Sequence, residues 1–433
     1  MIIRPARSLR GKIRLPGDKS ISHRAAMLAA AANSETRIEN FGSSADCAST
    51  VSCLQALGVE INRSGSTLTV KGLGKTGFRK AAEPLDCGNS GTTMRLLSGF
   101  LAGQRFESVL TGDESLMKRP MRRIADPLEQ MGCSVGLEDG HPPVMISGRN
   151  PLKAIHYRLP VASAQIKSCV LLAGLNADGT TSVIEPTPTR DHTERMLRWF
   201  GVEVKEENTD VGKRISVSGS SRLDARDLVV PSDISAAAFF LVAAACIPNS
   251  EIEIENVGLN PSRTAIIDVL RNLEAHIQVL DSIETSNEPV GTLRVRGGKG
   301  TRSNRNSNLI SGATIANLID EIPILAVFGT QVPGGLEIRD AAELRHKETD
   351  RIAAVAENLR RMGVSVEEFP DGLRIDESRL HGATIDSFGD HRIAMAFAVA
   401  GLLADGETEI VGAESAAVSF PEFFEVLAAA VSG

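Results

Sequence analysis

This sequence predicts an α/β protein with mixed sheets, built by repeating one unit across two or three domains. Its length of 433 residues sets the domain count, at roughly 150 residues each. Apolar residues at 42% and charged residues at 23% match the globular average and exclude extensive disorder, collagen and coiled coil. The third observation is a recurring phrase: the end of an amphipathic helix, usually a glycine, an alternating strand, a turn and a second strand.

In chain order the phrase first runs Leu54-Gln-Ala-Leu-Gly58 to Leu68-Thr-Val-Lys-Gly72, then Leu128-Glu-Gln-Met-Gly132 to Val144-Met-Ile-Ser-Gly148. It returns as Met196-Leu-Arg-Trp-Phe-Gly201 with Ile215-Ser-Val-Ser-Gly219, as Leu273-Glu-Ala-His-Ile with Leu293-Arg-Val-Arg-Gly297, and as Leu359-Arg-Arg-Met-Gly363 with Leu373-Arg-Ile. The glycine suits a left-handed helix C-cap, and the alternation after it suits a half-buried strand. A last helix at residues 421–430 would begin a sixth copy, with strands supplied by the N-terminal segment. The period, roughly 70 to 90 residues, exceeds that of the familiar solenoids, so each copy holds several strands and helices. A hairpin after the helix needs no crossover, which predicts mixed sheets.

Composition excludes several functions. With 47 Lys and Arg against 54 Asp and Glu, the charge is −7, so the chain has no general attraction to nucleic acid. Trp199 and Tyr157 are the sole residues of their kinds, which also removes a base-stacking surface. The N-terminus lacks the apolar stretch of a secretion signal. The longest apolar run, 236–247, is about 12 residues against the roughly 18 to 20 that span a bilayer, and reads as a buried core helix. Cys47, Cys53, Cys87, Cys133, Cys169 and Cys246 form no Cys-x-x-Cys pair, so they are expected as reduced, mostly buried thiols in a cytoplasmic protein. The eight histidines show no ligand spacing, and no metal or other cofactor is expected.

Polarity concentrates instead at helix starts. Asp18-Lys19-Ser20, Asn89-Ser90-Gly91, Ser163-Ala164-Gln165, Asp191-His192-Thr193, Asp233-Ile-Ser235, Asp320-Glu321, Lys347-Glu348-Thr349-Asp350 and Gly389-Asp390-His391-Arg392 each precede an apolar helical run, as N-caps do. Unpaired amides and the helix dipole make such ends anion sites. Lys19, Arg24, Arg119, Lys347, Arg351 and Arg392 lie at or near them, so converging ends would form a basic cleft for phosphate and carboxylate. There is no P-loop or dinucleotide fingerprint, since Gly297-Gly-Lys-Gly300 lacks the following helix and spacing. There is no nucleophile elbow. Acid/base work falls to carboxylates.

The phrases Gly17-Asp-Lys-Ser-Ile-Ser-His-Arg24, Gly88-Asn-Ser-Gly-Thr-Thr-Met-Arg95, Lys118-Arg-Pro-Met121 and Ser163-Ala-Gln165 resemble the signatures of the 5-enolpyruvylshikimate-3-phosphate (EPSP) synthases. So do Thr189-Arg-Asp-His-Thr193, Asp320-Glu-Ile-Pro323, Leu344-Arg-His-Lys-Glu-Thr-Asp-Arg351, Gly389-Asp-His-Arg392 and Ser419-Phe-Pro421, in the family's order over essentially the whole chain. The resemblance implies the two-domain enolpyruvyl-transferase fold: six β-α-β-α-β-β units, three per domain, helices inside and sheets outside as an inside-out α/β barrel. Residues 1–17 with 231–433 would form one domain and 18–230 the other, joined by two crossings, with the active site in the cleft between them.

The reaction so implied moves the enolpyruvyl group of phosphoenolpyruvate onto the 5-hydroxyl of shikimate 3-phosphate, in the shikimate pathway to chorismate and aromatic amino acids. By motif, Lys19, Asp320 and Glu348 would be catalytic. Lys19, Ser20, Arg24, Ser163, Ala164, Gln165, Arg190, Asp320 and Lys347 would hold shikimate 3-phosphate. Lys19, Asn89, Gly91, Arg119, Gln165, Arg351 and Arg392 would hold phosphoenolpyruvate. His391 would position its loop. Cations on both halves repel until ligand neutralises them, so the domains are expected to close on shikimate 3-phosphate.

Ala164 between Ser163 and Gln165, Ala417-Val418 where class I members carry Lys, and the Thr-Arg-Asp-His motif look like the class II branch. Gly91, however, stands where class II tolerance of glyphosate is associated with Ala, so glyphosate is expected to inhibit competitively with phosphoenolpyruvate. The family resemblance implies a monomer. Two rival readings remain. The sister transferase acting on UDP-N-acetylglucosamine carries a catalytic Cys where this chain has Glu114. A non-catalytic anion-binding scaffold would have no use for both Asp320 and Glu348.

Overall fold

The recurring phrase folds the same way in each copy. In the computed structural model, which describes residues 1–298 and 308–432, Gly58 and Gly363 end their helices at φ of 91° and 88°, the left-handed cap the spacing predicts. The fourth copy has no glycine there, and Glu274 takes the same conformation at φ 67°. A side chain in that region costs about 1 kcal/mol, so Glu274→Gly is expected to raise the stability of its unit by about that amount, read as a higher urea midpoint. Gly72, which closes the second strand of the first copy, has a different reason. A Cβ there would lie 2.2 Å from the Ala32 carbonyl oxygen, so glycine lets the strand meet the end of the preceding helix.

Among the described residues, six sheets repeat one strand order, a parallel pair followed by antiparallel neighbours. Leu228–Val229 lies parallel to Glu35–Glu39, which pairs with Thr67–Lys71 and then Glu60–Ser64. The same order runs through Leu85–Asp86, Glu107–Thr111, His141–Ser147 and Ser134–Glu138, and through His156–Arg158, Thr180–Glu185, Gly212–Ser218 and Val204–Thr209. It recurs in Ser8–Ile13, Glu251–Gly258, Glu288–Arg296 and His276–Val279, and in Leu309–Ile310, Leu336–Ile338, Gly372–Ile375 and Val366–Phe369. The sixth joins Thr384–Asp386 and Thr408–Val411 to Ile2–Ile3. The N-terminal segment thus supplies a strand of the sixth copy, and the last helix is Phe423–Ala430.

The chain divides into two compact units. The terminal unit holds Met1–Pro16, Pro231–Ile283 and Pro289–Gly433, and the middle unit holds Gly17–Val230 and Glu284–Glu288. The short excursion Glu284–Glu288 adds to the two crossings expected from sequence. It is the tip of the hairpin Ile283–Thr285 and Glu288–Arg296, within the motif-poor stretch 281–308, of which 299–307 lie outside the described residues.

Each unit has its own apolar core. Its central helices are α1 (Lys19–Ala31), α2 (Gly91–Ala102), α3 (Ala164–Gly174) and α4 (His192–Trp199) in the middle unit. The terminal unit has α5 (Ile234–Cys246), α6 (Ile322–Gly329), α7 (Arg351–Arg361) and α8 (His391–Leu403). The predicted core helix at 236–247 is α5, buried on all sides from Ile234 to Ala245. A helix apolar all round must lie inside. The strands, alternately buried and exposed as in Thr67–Lys71 and His141–Ser147, cover these helices on one face only. Among the described residues no helix is long and apolar enough to cross a membrane.

Candidate active site

Short parallel strands feed directly into helix starts, the place where α/β folds bind ligands. Leu85–Asp86 leads to α2, and His156–Arg158 leads to α3. Asp18, Ser90, Ser163, Asp233, Asp350 and Asp390 cap their helices through the side chain. Two expected caps differ. Asp191 pairs with Arg195 at 2.8 Å and makes no side-chain cap bond. Glu321, 1% exposed, makes no side-chain cap bond and instead accepts a hydrogen bond from Ser235, which satisfies the buried carboxylate.

In the middle unit, Lys19 Nζ lies 2.8 Å from Asp46 Oδ2. Arg24, 4% exposed, donates from Nε to Thr193 Oγ1 at 2.7 Å, from Nη2 to Ser168 Oγ at 3.0 Å and from Nη1 to the Ser20 carbonyl at 2.9 Å. Arg119 Nη2 donates to Asn89 Oδ1 at 2.7 Å, and Asn89 Nδ2 donates to Asp113 Oδ2 at 2.6 Å. Gln165 Oε1 accepts from Arg95 Nη1 at 2.7 Å while its Nε2 donates to Thr92 Oγ1 at 3.0 Å. Contacts therefore join three pairs of predicted positions or their neighbours: Ser20 with Arg24, Asn89 with Arg119, and Gln165 with the start of α2. In these contacts Lys19, Arg24, Arg95 and Arg119 outnumber Asp18, Asp46 and Asp113, so the balance of this face favours anions.

A buried relay supports that face. His23 Nδ1 and Thr50 Oγ1 are 2.6 Å apart, Thr50 and Thr93 hydroxyls 2.6 Å, and Thr93 Oγ1 donates to Ser90 Oγ, the α2 cap, at 2.8 Å. Burial, then Lys19 and Arg24, hold the His23 pKa well below its ordinary value. Below pH 6.5 the unfolded chain then takes up a proton the folded chain refuses, so stability falls with pH by at most about 1.4 kcal/mol per unit. Urea midpoints at pH 7 and 5.5 should drop less for His23→Asn than for the parent; equal drops would reject this.

In the terminal unit, Arg351, 2% exposed, is the first residue of α7. Its Nε donates to Asp390 Oδ2 at 2.8 Å, its Nη2 to Glu348 Oε2 at 2.7 Å, and its Nη1 reaches Asp320 Oδ1 at 3.5 Å. Burial opposes its charge, but Asp390, Glu348 and Asp320 outweigh burial and raise its pKa. Lys347 shifts the other way: burial lowers its pKa more than Asp320 raises it. Arg392 is 6% exposed, and its Nε has no hydrogen-bond partner among the described residues. His391 is buried beside it. Asp320, Glu348 and Asp390 thus balance Lys347, Arg351 and Arg392, an arrangement suited to proton transfer next to fixed positive charge. Among the described residues, no three His, Cys, Asp or Glu are grouped to hold a metal ion.

A family model described as EPSP synthase (3-phosphoshikimate 1-carboxyvinyltransferase) matches residues 3–427. The chain belongs to the EPSP synthase family. It is 51% identical over 427 residues to the 3-phosphoshikimate 1-carboxyvinyltransferase of Solibacter usitatus, covering 98% of each chain. The structure of EPSP synthase from Acinetobacter baumannii superposes with a TM-score of 0.86 at 42% identity, over 99% of this chain and 97% of that one. The enolpyruvyl transferase NikO from Streptomyces tendae, at 19% identity and a TM-score of 0.79 over 99% and 96%, shares the fold. This EPSP synthase family member is therefore a mixed α/β enzyme, a transferase of the shikimate pathway.

Sequence reading of this family member passed over several residues. Arg95 stood inside a quoted motif, one turn into α2, yet only its bond to Gln165 shows what it does. Thr193 likewise stood inside a quoted motif without a role, while Asp46 and Ser168 stood in none. Asp46 lies 27 residues from Lys19, and Ser168 lies 144 residues from Arg24.

Proposed function

We propose that this chain converts phosphoenolpyruvate and shikimate 3-phosphate to EPSP and phosphate with the residues its motifs mark. In this reading Ser20, Arg24, Ser163, Ala164, Gln165 and Arg190 hold shikimate 3-phosphate, with Asp320 and Lys347 on its hydroxyls. Asn89, Gly91, Arg119, Gln165, Arg351 and Arg392 hold phosphoenolpyruvate, and Lys19 serves both. The enol carbon gains a proton while the 5-hydroxyl attacks the adjacent carbon and loses its own. The tetrahedral adduct then expels phosphate and sheds a proton. Glu348 and Asp320 are the proton carriers, and Lys19 steadies charge on the leaving phosphate.

The observation that carries this reading is the pair of carboxylates, Glu348 and Asp320, on one buried guanidinium. Pure anion binding has no need of them. Glu114, where the UDP-sugar transferases carry cysteine, pairs with Lys118 at 2.6 Å with its side chain 87% exposed, a poor setting for a nucleophile. The test is phosphate release from phosphoenolpyruvate with shikimate 3-phosphate, with UDP-N-acetylglucosamine and with neither. Release only with the first is expected; release only with the UDP-sugar overturns it.

Glyphosate belongs to this reading as an inhibitor competing with phosphoenolpyruvate. A Cβ on Gly91 would lie 2.7 Å from Arg95 Nη1 and 3.4 Å from Arg119 Nη1. Both are ends of flexible side chains, so Gly91→Ala should fold while narrowing the space beside Asn89 and Gln165. Glyphosate inhibition is expected to weaken by about tenfold or more; an unchanged inhibition constant removes the steric argument. We propose that the enzyme acts as a cytoplasmic monomer without nucleic-acid or membrane partners. Its six free thiols, five of them buried, fit a reducing compartment, and light scattering on the purified protein tests the monomer.

A further inference from the structure

Beneath the start of α3 lies a charge cluster that the reaction does not use. Lys167 is 0% exposed, and its Nζ lies 3.0 Å from Glu185 Oε2 and 2.6 Å from Glu194 Oε1, whose side chains are 3% and 2% exposed. Burial disfavours the lysine's charge, but Glu194 and Glu185 outweigh it, so the ammonium persists. Glu194 has its pKa raised by burial against the pull of Lys167, and its Oε2 has no hydrogen-bond partner among the described residues. Three buried ionisable groups in an apolar core are poor stabilisers compared with hydrophobic residues of the same volume. Fold stability alone does not explain them.

Their connections do. Glu185 Oε2 also accepts from Thr189 N at 3.2 Å and from Thr189 Oγ1 at 2.8 Å. In the segment 186–191, between the strand Thr180–Glu185 and α4, Thr189 alone is buried. It is the anchor of that loop, and Arg190 follows it. On the other side, Ser168 is next to Lys167 in α3, and Thr193 is next to Glu194 in α4. Their hydroxyls lie 2.6 Å apart, and both accept from Arg24.

We propose that Lys167 is a positioning residue for shikimate 3-phosphate: with Glu185 and Glu194 it locks α3, α4 and the Thr189 anchor together, and so aims Arg190 and Arg24. This rests on the proposed roles of those two arginines. A charged lock suits the task because its hydrogen bonds have direction, which apolar packing lacks. Two arginines that hold one ligand also lose affinity for it when displaced by a fraction of an ångström.

The test is a split of kinetic constants. Lys167→Met is expected to raise KM for shikimate 3-phosphate about tenfold, with kcat and the phosphoenolpyruvate KM within about threefold. Thr189→Val, which removes only the hydroxyl donor, should raise it about fivefold, and Thr189→Ser should restore it. The threonine pair decides the matter if Lys167→Met does not fold. Equal changes in both KM values, or an unchanged shikimate 3-phosphate KM in Thr189→Val, overturn the proposal. Arg190→Ala and Arg24→Ala run alongside. If they weaken shikimate 3-phosphate while Thr189→Val does not, the positioning role alone fails; if they do not, the assignment of the shikimate 3-phosphate contacts fails.

Discussion

Glu348→Gln lowers kcat by about two to four orders of magnitude, with the protein folded as before: that is the expected result at saturating concentrations of both substrates. The carboxylate accepts from Arg351 Nη2 at 2.7 Å, and its side chain is 15% exposed, so it is held in place yet accessible. A glutamine oxygen accepts the same hydrogen bond with the same shape, but the amide takes up and releases no proton near neutral pH. Asp320 stands on another arm of the guanidinium, and Asp320→Asn should cost a similar factor. The double variant should lose less than the product of the two, since residues acting on one proton relay are not additive. Phosphate release measures all three. A kcat within threefold of the parent in Glu348→Gln would remove it from proton transfer.

The second large effect concerns stability. Asp390 is 0% exposed and holds Arg351 through Nε at 2.8 Å and Nη2 at 3.4 Å, and it caps α8 by accepting from Arg392 N at 2.7 Å. Asp390→Leu removes the most deeply buried of the three carboxylates on Arg351, leaving Glu348 and Asp320, and uncaps a helix. The expected loss is at most about 3 kcal/mol for the broken pair, because two carboxylates stay on the guanidinium, and about 1 kcal/mol for the cap. Asp390→Asn, which still accepts at the cap, should lose less. Because the chain has two units, one unfolding curve need not describe it, and amide exchange in α8 is the sharper readout. A loss under about 1 kcal/mol in Asp390→Leu would contradict a charge pair of this importance. The surviving Asp390→Asn enzyme should also bind phosphoenolpyruvate more weakly, because Arg351 is then drawn further toward Glu348 and Asp320.

The helix caps and the left-handed turns were legible because they depend on neighbours within four residues. Ser90 reads as a cap and is one; the fourth copy lacks its glycine and the backbone turns there regardless, with Glu274 in its place. Glu321 was misread for the opposite reason, and Asp191 because a neighbour four residues on, Arg195, competes locally for its carboxylate. Ser235, which binds the Glu321 carboxylate, lies 86 residues from it.

By itself the sequence determined the repeat, the mixed α/β class, the membership of its family by motif and the stock of cations at helix starts. Each follows from local period, capping preference or an unbroken string of residues. Tertiary structure alone decided which charges meet. Arg351 sits against Asp320 and Asp390, 31 and 39 residues away, and Gln165 against Arg95, 70 residues away. It also decided that Lys167, in an apolar helix, carries two buried glutamates. Pairing at such separations is set by how sheets order their strands, and a buried charge is tolerated only where that order delivers its partner.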